Sequence, residues 1–238
     1  MRFSMIIKRD ELFRVVCEFL IGEKVGTGMF VSSPYNNEFS LGWIVTASHV
    51  AKETNDSAEI VISSDEGKAI PVPLKMFGNI SEWRHHPIAD ISAFPIYKTP
   101  ENDKFLFNRI LPYEHLFLEE KTVSRDYELT AIGFPQGLGT EDYFSPLSFR
   151  SHASSGFITM PRADTKTLST FFCLENPSVG GYSGCPVFDL GYETSGTSTV
   201  YRKRTWCYGI MHGTIYDDTG GKIAMVTPAF YLKDLLKI

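Results

Sequence analysis

The sequence lacks any long run of one charge. Lys and Arg number 23 against 28 Asp and Glu, so the formal net charge is −5. Domains that bind nucleic acid usually carry a strongly basic face, whereas this chain has only one small basic cluster, at Arg202, Lys203 and Arg204. We interpret that cluster as part of a solvated loop, and the sequence predicts no nucleic-acid partner.

Long apolar runs are missing as well. No stretch approaches the ~20 apolar residues that a membrane-spanning helix requires. The N-terminal segment MRFSMIIKRDELFRVV has only a short apolar run before Lys8 and no small-residue cleavage site, unlike a secretory signal. These absences predict a cytoplasmic protein without a membrane partner.

Metal-binding and cofactor motifs are absent too. The sequence contains no C-x-x-C pair, no H-E-x-x-H, no P-loop and no Rossmann fingerprint. His85 and His86 are adjacent, and adjacent side chains on an extended chain point apart, which disfavours a shared metal. We therefore predict no metal and no cofactor, and we expect buried, apolar roles for the four widely spaced cysteines, which are Cys17, Cys173, Cys185 and Cys207.

Short strand-like segments, by contrast, are abundant. Runs rich in Val, Ile, Phe and Tyr recur between Gly, Pro, Asn and Asp residues, which predicts an all-β barrel or sandwich. The segment Thr99 to Asp126 breaks this rhythm with prolines and charges, so we predict that it connects two β-rich halves, residues 1–112 and 113–238. At the end of the chain, AFYLKDLLKI places apolar residues near one face at helical spacing, which predicts a short terminal helix. The predicted strands are 15–21, 28–31, 42–47, 59–62, 69–77, 91–97, 127–134, 148–160, 168–174, 185–189, 205–212 and 222–226, with a long exposed hairpin loop at 191–205.

One serine lies among glycines in the segment SVGGYSGCPVFD, where Gly180, Gly181 and Gly184 surround Ser183. This pattern is compatible with an ordinary hairpin turn or with a nucleophile loop. A nucleophilic serine needs a base to take its proton and a carboxylate to orient that base. His49 follows an apolar strand in GWIVTASHVAK and Asp90 precedes another in HHPIADISAFPI, so the two residues form a coherent set with the serine.

Four segments, TASHV, ADISAFPI, AIGFPQG and GYSGCPV, resemble the corresponding segments of the chymotrypsin-like (trypsin-like) serine peptidases, and in style those of the bacterial HtrA-type branch. The resemblance extends from about Gly26 to the terminal helix, and we expect no PDZ module of the kind that HtrA-type enzymes often append. It implies two packed six-stranded antiparallel β-barrels with the site between them. It also implies that Ser183 is the nucleophile, His49 the base and Asp90 the orienting carboxylate.

The resemblance also assigns the surroundings of the serine. It implies an oxyanion hole formed by the N–H groups of Gly181 and Ser183. The chain departs from the family pattern at Tyr182, where zymogen-activated members have an aspartate, and at Cys185, where a second glycine is usual. The implied substrate pocket contains no Asp or Glu, which favours a small or medium apolar substrate side chain; its residues are Pro177, Ser178, Val179, His212, Gly213, Thr214 and Ala224.

Two questions stay open from the sequence. His212 is compatible with a hydrogen-bonded core or pocket-wall histidine and with a partner of Asp90. The function is predicted to be a serine endopeptidase that acts on protein or peptide substrates, and gating by a regulatory partner or by self-association is expected. The alternatives are a non-catalytic binding module and an esterase on the same fold.

Overall fold

The computed structural model describes residues 6–34, 40–162, 164–202, 204–216, 218 and 222–237. Lys203 of the basic cluster and Ile238 at the chain end lie outside these residues. Seven strands of the first half form one antiparallel sheet in the order β5-β4-β1-β2-β3-β7-β6. They are β1 Val16–Ile21, β2 Lys24–Pro34, β3 Ser40–Thr46, β4 Glu59–Ser63, β5 Ala69–Pro73, β6 Arg84–His85 and β7 Ser92–Ile96.

The second half forms another antiparallel sheet of seven strands in the order β10-β11-β16-β15-β12-β8-β9. The predicted loop at 191–205 contains a separate two-stranded hairpin, β13 with β14. The strands are β8 Leu129–Gly133, β9 Leu147–Ser151, β10 Ile158–Pro161, β11 Leu168–Leu174, β12 Pro186–Asp189, β13 Tyr192–Ser195, β14 Ser198–Tyr201, β15 Trp206–Tyr216 and β16 Lys222–Pro228.

The predicted all-β fold, with two antiparallel β units and a short C-terminal helix, is confirmed. In the described residues each unit has seven strands instead of the predicted six, and neither sheet forms a continuous closed ladder. The sheet ends meet through isolated contacts instead. In the first half, the Tyr97 N–H donates to the Phe77 carbonyl at 2.8 Å. In the second, an isolated bridge pairs Ala153, just beyond β9, with Leu174 of β11, and two backbone hydrogen bonds flank it. Proline is one physical reason for the open ladder, since Pro71 and Pro73 of β5 have no N–H to donate.

In the described part of the chain, four short α-helices accompany the sheets: α1 Arg9–Leu12, α2 Ser48–Ala51, α3 Pro100–Asp103 and α4 Leu232–Leu236. A 3₁₀ turn, Ala229–Tyr231, leads into α4. The residues predicted to share the buried face of this helical segment are all buried, namely Ala229, Tyr231, Leu232, Leu235 and Leu236. Within the described ranges, no helix is long and apolar enough to cross a membrane.

The largest hydrophobic cluster combines residues of both sheets with the terminal helix. Trp43 and Val45 of β3 lie in the same cluster as Phe188 of β12 and Leu232 of α4. Two further clusters belong mainly to one sheet each. Because apolar surface from both halves is buried together, the two sheets are held against each other, and the loops at their junction are fixed from both sides. The boundary between residues 112 and 113 stays a prediction.

Candidate active site

His49 lies in the short helix α2, directly after β3. The Ser48 hydroxyl donates to the Ile91 carbonyl at 2.9 Å, which anchors α2 beside the start of β7. The His49 backbone N–H then donates to Asp90 Oδ1 at 3.0 Å, and its ring Nδ1 lies 2.7 Å from Asp90 Oδ2. The side chain remains 32% exposed. The imidazole is thus held at one nitrogen by a carboxylate while part of its ring is open to solvent.

Asp90 lies two residues before β7 and is completely buried. Burial alone would raise the pKa of this carboxyl, but hydrogen bonds from His212 and His49 outweigh that effect and hold its pKa well below the usual range. An ionised carboxylate can only accept hydrogen bonds, so each Nδ1 that contacts it carries a proton. The neutral His49 ring therefore has its unprotonated nitrogen at Nε2.

His212 contacts the same carboxylate oxygen, with its Nδ1 2.5 Å from Asp90 Oδ2. A register shift explains this direction: in β15, Met211 is paired with Val226 and Gly213 with Met225, so His212 is the additional residue of a β-bulge. Bulges redirect a side chain and are common beside active sites. Met211 packs into the core of the second sheet, whereas His212 turns toward the first. Of the two interpretations left open by the sequence, the structure places His212 against Asp90.

Ser183 lies in the loop between β11 and β12. Its hydroxyl donates to the His212 carbonyl at 3.4 Å. Among the described residues, no hydrogen bond joins this hydroxyl directly to the His49 ring. Catalytic hydrogen bonds of this kind often tighten only when substrate binds. The structure therefore brings Ser183 into the surroundings of His212, whose ring shares Asp90 with His49.

The peptide between Gly180 and Gly181 has a defined orientation. The Gly180 carbonyl accepts a hydrogen bond from the Gln136 backbone N–H at 2.6 Å. In a trans peptide the carbonyl and the following N–H point in opposite directions, so the Gly181 N–H points away from Gln136. Neither this N–H nor that of Ser183 has a protein acceptor among the residues that the structure describes. Both N–H groups therefore keep an unused hydrogen-bonding capacity within this part of the chain.

Thr27 of β2 holds the serine loop from the opposite sheet. Its backbone N–H donates to the Ser183 carbonyl at 2.9 Å, and its hydroxyl donates to the Gly181 carbonyl at 2.9 Å. The same hydroxyl accepts from the Phe134 N–H at 3.0 Å, and Thr46 donates to the Thr27 carbonyl at 2.6 Å. One buried residue of the first half therefore fixes the loop of the second.

The two departures from the family pattern, Tyr182 and Cys185, are both buried. The Tyr182 hydroxyl donates to the Leu147 carbonyl at 3.2 Å, so this polar group is satisfied. A Cβ at Gly133 would lie 2.7 Å from the Cys185 Cβ and 3.0 Å from the Tyr182 ring. The glycine at the end of β8 thus provides the space that these two side chains occupy.

Six of the seven predicted pocket residues lie in two segments, 177–179 and 212–214, which one hydrogen bond ties together. The Thr214 hydroxyl donates to the Ser178 carbonyl at 2.9 Å. Pro177 is exposed, and Ser178 and Val179 are half-buried. Ala224 is fully buried opposite Thr214 in the β15–β16 register, and Gly213 follows the bulge. These positions are compatible with the pocket, which stays a prediction.

Arg162, just beyond β10, is a site residue that the sequence analysis missed. Its side chain is only 3% exposed, and its Nη2 lies 3.0 Å from Asp90 Oδ1. The segment MPRAD has the composition of a polar turn and carries no local signal for a buried arginine. Only the folded chain brings residue 162 to residue 90.

A metal could in principle be held by three of these residues, since donor atoms of His49, Asp90 and His212 lie within 4.8 Å of one another. The two nitrogen–oxygen distances of 2.7 and 2.5 Å are hydrogen-bond lengths. Two ligands of a tetrahedral zinc, each about 2.0–2.1 Å from the ion, lie roughly 3.3 Å apart. The arrangement fits a shared carboxylate better than a metal centre.

The family model described as a trypsin-like peptidase domain matches residues 26–194, which is more than half of the chain. The chain belongs to the trypsin-like peptidase domain family. It is accordingly a serine peptidase by class and a hydrolase, in agreement with the resemblance of its four motifs. A search of curated proteins gives no match.

Among solved structures, the active form of the Rv3671c protease from M. tuberculosis aligns with a TM-score of 0.61 at 14% identity, covering 96% of this chain and 82% of that chain. An inactive form of the same protease gives 0.57 at 12% identity, covering 96% and 90%. Human heparin binding protein gives 0.56 at 10% identity, covering 97% and 92%. These solved structures share the chymotrypsin-like fold with this chain, and at such identities the fold alone is what they establish.

Proposed function

We propose that this trypsin-like peptidase is an endopeptidase that cleaves peptide bonds through an acyl-enzyme on Ser183. The observation that carries the proposal is the 2.7 Å contact between His49 Nδ1 and the buried Asp90 carboxylate. It fixes the proton on Nδ1, which leaves Nε2 to accept a proton from a serine hydroxyl. The same contact stabilises the imidazolium that forms when the proton is transferred.

In the proposed reaction, Ser183 Oγ attacks the substrate carbonyl carbon as His49 takes the hydroxyl proton. The His49 imidazolium then donates this proton to the departing amine, which leaves an ester on Ser183. Water attacks the ester with His49 again acting as base, and the acid product leaves with Ser183 restored. Asp90 stays ionised throughout and orients the ring.

The negative oxygen of each tetrahedral intermediate would be bound by the N–H groups of Gly181 and Ser183. Support comes from the orientation of the Gly180–Gly181 peptide, which the Gln136 N–H fixes at 2.6 Å. Donors that are fixed before the reaction need no reorganisation when the charge develops, and removal of one typically costs about 10²–10³ in kcat.

The proposed specificity is for a small or medium apolar residue before the cleaved bond. The pocket segments 177–179 and 212–214, with Ala224, contain no carboxylate to pair with a Lys or Arg side chain. The cytoplasmic location, and gating by a partner or by self-association, remain predictions from the sequence. Comparing activity per subunit across a dilution series, with gel filtration, would test self-association.

A fluorophosphonate probe tests the nucleophile. We expect the wild-type protein to gain one probe mass on the peptide that contains Ser183, and Ser183→Ala to gain none. The exposed Ser57, whose hydroxyl bonds only to the Asn55 side chain, provides the matched control Ser57→Ala, which should react like the wild type.

Peptide cleavage separates the endopeptidase from its alternatives. Cleavage of a broad peptide library, lost in Ser183→Ala, is the expected result. Labelling of Ser183 without cleavage of any peptide would favour an esterase. A wild-type protein that never reacts with the probe, across pH and with candidate activators, would refute the proposal and favour a binding module.

A further inference from the structure

The Asp90 carboxylate has a cationic partner in addition to its two imidazoles. Arg162 Nη2 lies 3.0 Å from Asp90 Oδ1, on the oxygen that also accepts the His49 backbone N–H. Arg162 Nη1 donates to the Ala89 carbonyl at 2.9 Å, which fixes the guanidinium beside the start of β7. With the arginine side chain 3% exposed and Asp90 fully buried, this ion pair is shielded from solvent.

Arg162 is shared with a second carboxylate. Its Nε lies 2.9 Å from Asp164 Oδ1 and its Nη2 lies 2.6 Å from Asp164 Oδ2, a two-point contact with a side chain that is 22% exposed. Asp164, two residues further along the chain, thus holds the guanidinium in the orientation in which it contacts Asp90. Bidentate pairs of this kind fix geometry as well as charge.

The charges of Asp90, Arg162 and Asp164 sum to one negative charge. Arg162 carries one positive charge against the two negative charges of Asp90 and Asp164, which leaves one negative charge to stabilise an imidazolium. Without the arginine the imidazolium would face two carboxylates, and without Asp164 it would face a carboxylate neutralised by the arginine. The pair therefore sets the electrostatic strength of Asp90 toward His49.

We propose that Arg162 is a positioning residue for Asp90 and that the Arg162–Asp164 pair adjusts how strongly Asp90 stabilises protonated His49. This inference rests on the proposed function, because it assumes that His49 is the base. Arg162 touches no reacting atom, and it acts only through the carboxylate.

Other titratable and charged groups surround this cluster. His212 contacts Asp90 directly, and its ring lies 5.8 Å from that of His49 between ring centres. His85 hydrogen-bonds Ser92 in β7, and burial first, then Lys52 and Arg162, lower its pKa. Burial first, and Arg162 to a smaller extent, lower the pKa of His86, whereas Asp234, 3.2 Å from the His86 ring, acts in the opposite direction. These side chains are the same in every variant below, but Arg162 acts on His85 and His86 as well as on Asp90. Each histidine is therefore followed by its own ring resonance in the NMR titration described below.

The test is the pH dependence of fluorophosphonate labelling in two opposed variants. In Arg162→Gln, Asp90 attracts the imidazolium more strongly, so the acid limb of the profile should move to higher pH by about half to one unit. In Asp164→Asn, the arginine neutralises Asp90 more fully, so the limb should move to lower pH by a similar amount. Arg162→Lys keeps the positive charge and should remain closer to the wild type.

The matched control is Arg109→Gln, which removes another buried arginine. The Arg109 guanidinium donates to the Ser63 and Phe107 carbonyls instead of contacting Asp90. The Arg109→Gln variant should leave the pH profile of labelling unchanged even if it lowers the free energy of unfolding. In peptide cleavage, Arg162→Gln should lower kcat about tenfold with little change in KM, since the substrate does not contact this side chain.

A second readout does not require activity. NMR titration of the histidine ring resonances in the Ser183→Ala background should show the His49 midpoint moving in opposite directions in Arg162→Gln and Asp164→Asn. If Arg162→Gln fails to fold, Asp164→Asn and Arg162→Lys still carry the comparison. Shifts in the same direction, or no shift in either variant, would overturn the proposal. Failure of the wild type to react with the probe would refute the proposed function instead, and the titration would still decide the role of Arg162.

Discussion

Substitution of Gly181 by alanine is the most direct probe of the serine loop. Gly181 has φ +91°, a conformation that L-residues with a side chain rarely adopt. A Cβ at this position would overlap the Phe134 carbonyl oxygen and lie 2.7 Å from the Gln136 backbone nitrogen. Both neighbours are backbone atoms, so the new methyl group cannot be accommodated by rotation of a side chain. The loop itself has to move.

The expected effect has two components. A left-handed conformation costs about 1–2 kcal/mol for a residue with a Cβ, which lowers the free energy of unfolding. Movement of the loop turns the Gly181 N–H away from its proposed target, and loss of one oxyanion donor costs about 3–4 kcal/mol in the transition state. We therefore expect Gly181→Ala to fold with reduced stability and to lose about 10²–10³ in its labelling rate and in kcat.

The adjacent glycine provides the control. A Cβ at Gly180 has no other heavy atom within 4 Å, and Gly180 is not among the residues with positive φ. Gly180→Ala should therefore retain a rate close to that of the wild type. Labelling rates for both variants, measured beside urea unfolding curves, separate the chemical effect from instability. A fully active Gly181→Ala, or an equal loss in Gly180→Ala, would refute the assignment of the oxyanion hole.

Two further predictions concern buried titratable groups. Burial raises the pKa of Glu18 from 4.5 to about 7, since Oε1 has no hydrogen-bond partner in the described part of the chain and Oε2 accepts only from Thr140. The folded protein then holds a proton that the unfolded chain releases, so the free energy of unfolding should fall by up to about 3 kcal/mol as pH rises through this interval. Glu18→Gln should remove that dependence in urea unfolding at pH 5 and pH 8, and an unchanged slope would contradict the assignment. All four cysteines are buried and free, and burial raises the pKa of each thiol. A thiol reagent should therefore modify none of them rapidly at pH 8 until denaturant is added. Fast reaction of the native protein would contradict this prediction.

Local sequence patterns were sufficient to predict several elements of the fold. The strand Leu168–Leu174 has the predicted bounds, because its apolar run is interrupted by polar residues on both sides. The proximity of His49 to Asp90 follows from where each residue lies relative to an apolar strand, since β3 and β7 are neighbours in the sheet. Patterns of this kind depend on adjacent residues and are therefore visible without the fold.

Features that depend on register or on distant contacts were not predictable. The run 148–160 forms two strands, β9 and β10, because the chain leaves one edge of the sheet before it joins the other. The direction of His212 depends on a one-residue shift between β15 and β16, which no alternation of residue types reveals. Arg162 reaches Asp90 across 72 positions of sequence. A buried arginine is identified by its partners, and these come together only on folding.

The contacts of Thr27 also bear on when, during synthesis and folding, the serine loop can take its final shape. Thr27 comes early in the chain, whereas Gly181 and Ser183 come late, and the threonine binds the carbonyls of both. During synthesis the first sheet can form well before residue 183 exists, since domains fold from the N-terminus as the chain grows. The loop reaches its final shape only when the second sheet has docked against that threonine. A chain in which the two sheets have not docked therefore carries the serine without the hydrogen bonds that hold it, so the proposed activity requires both halves to be folded together.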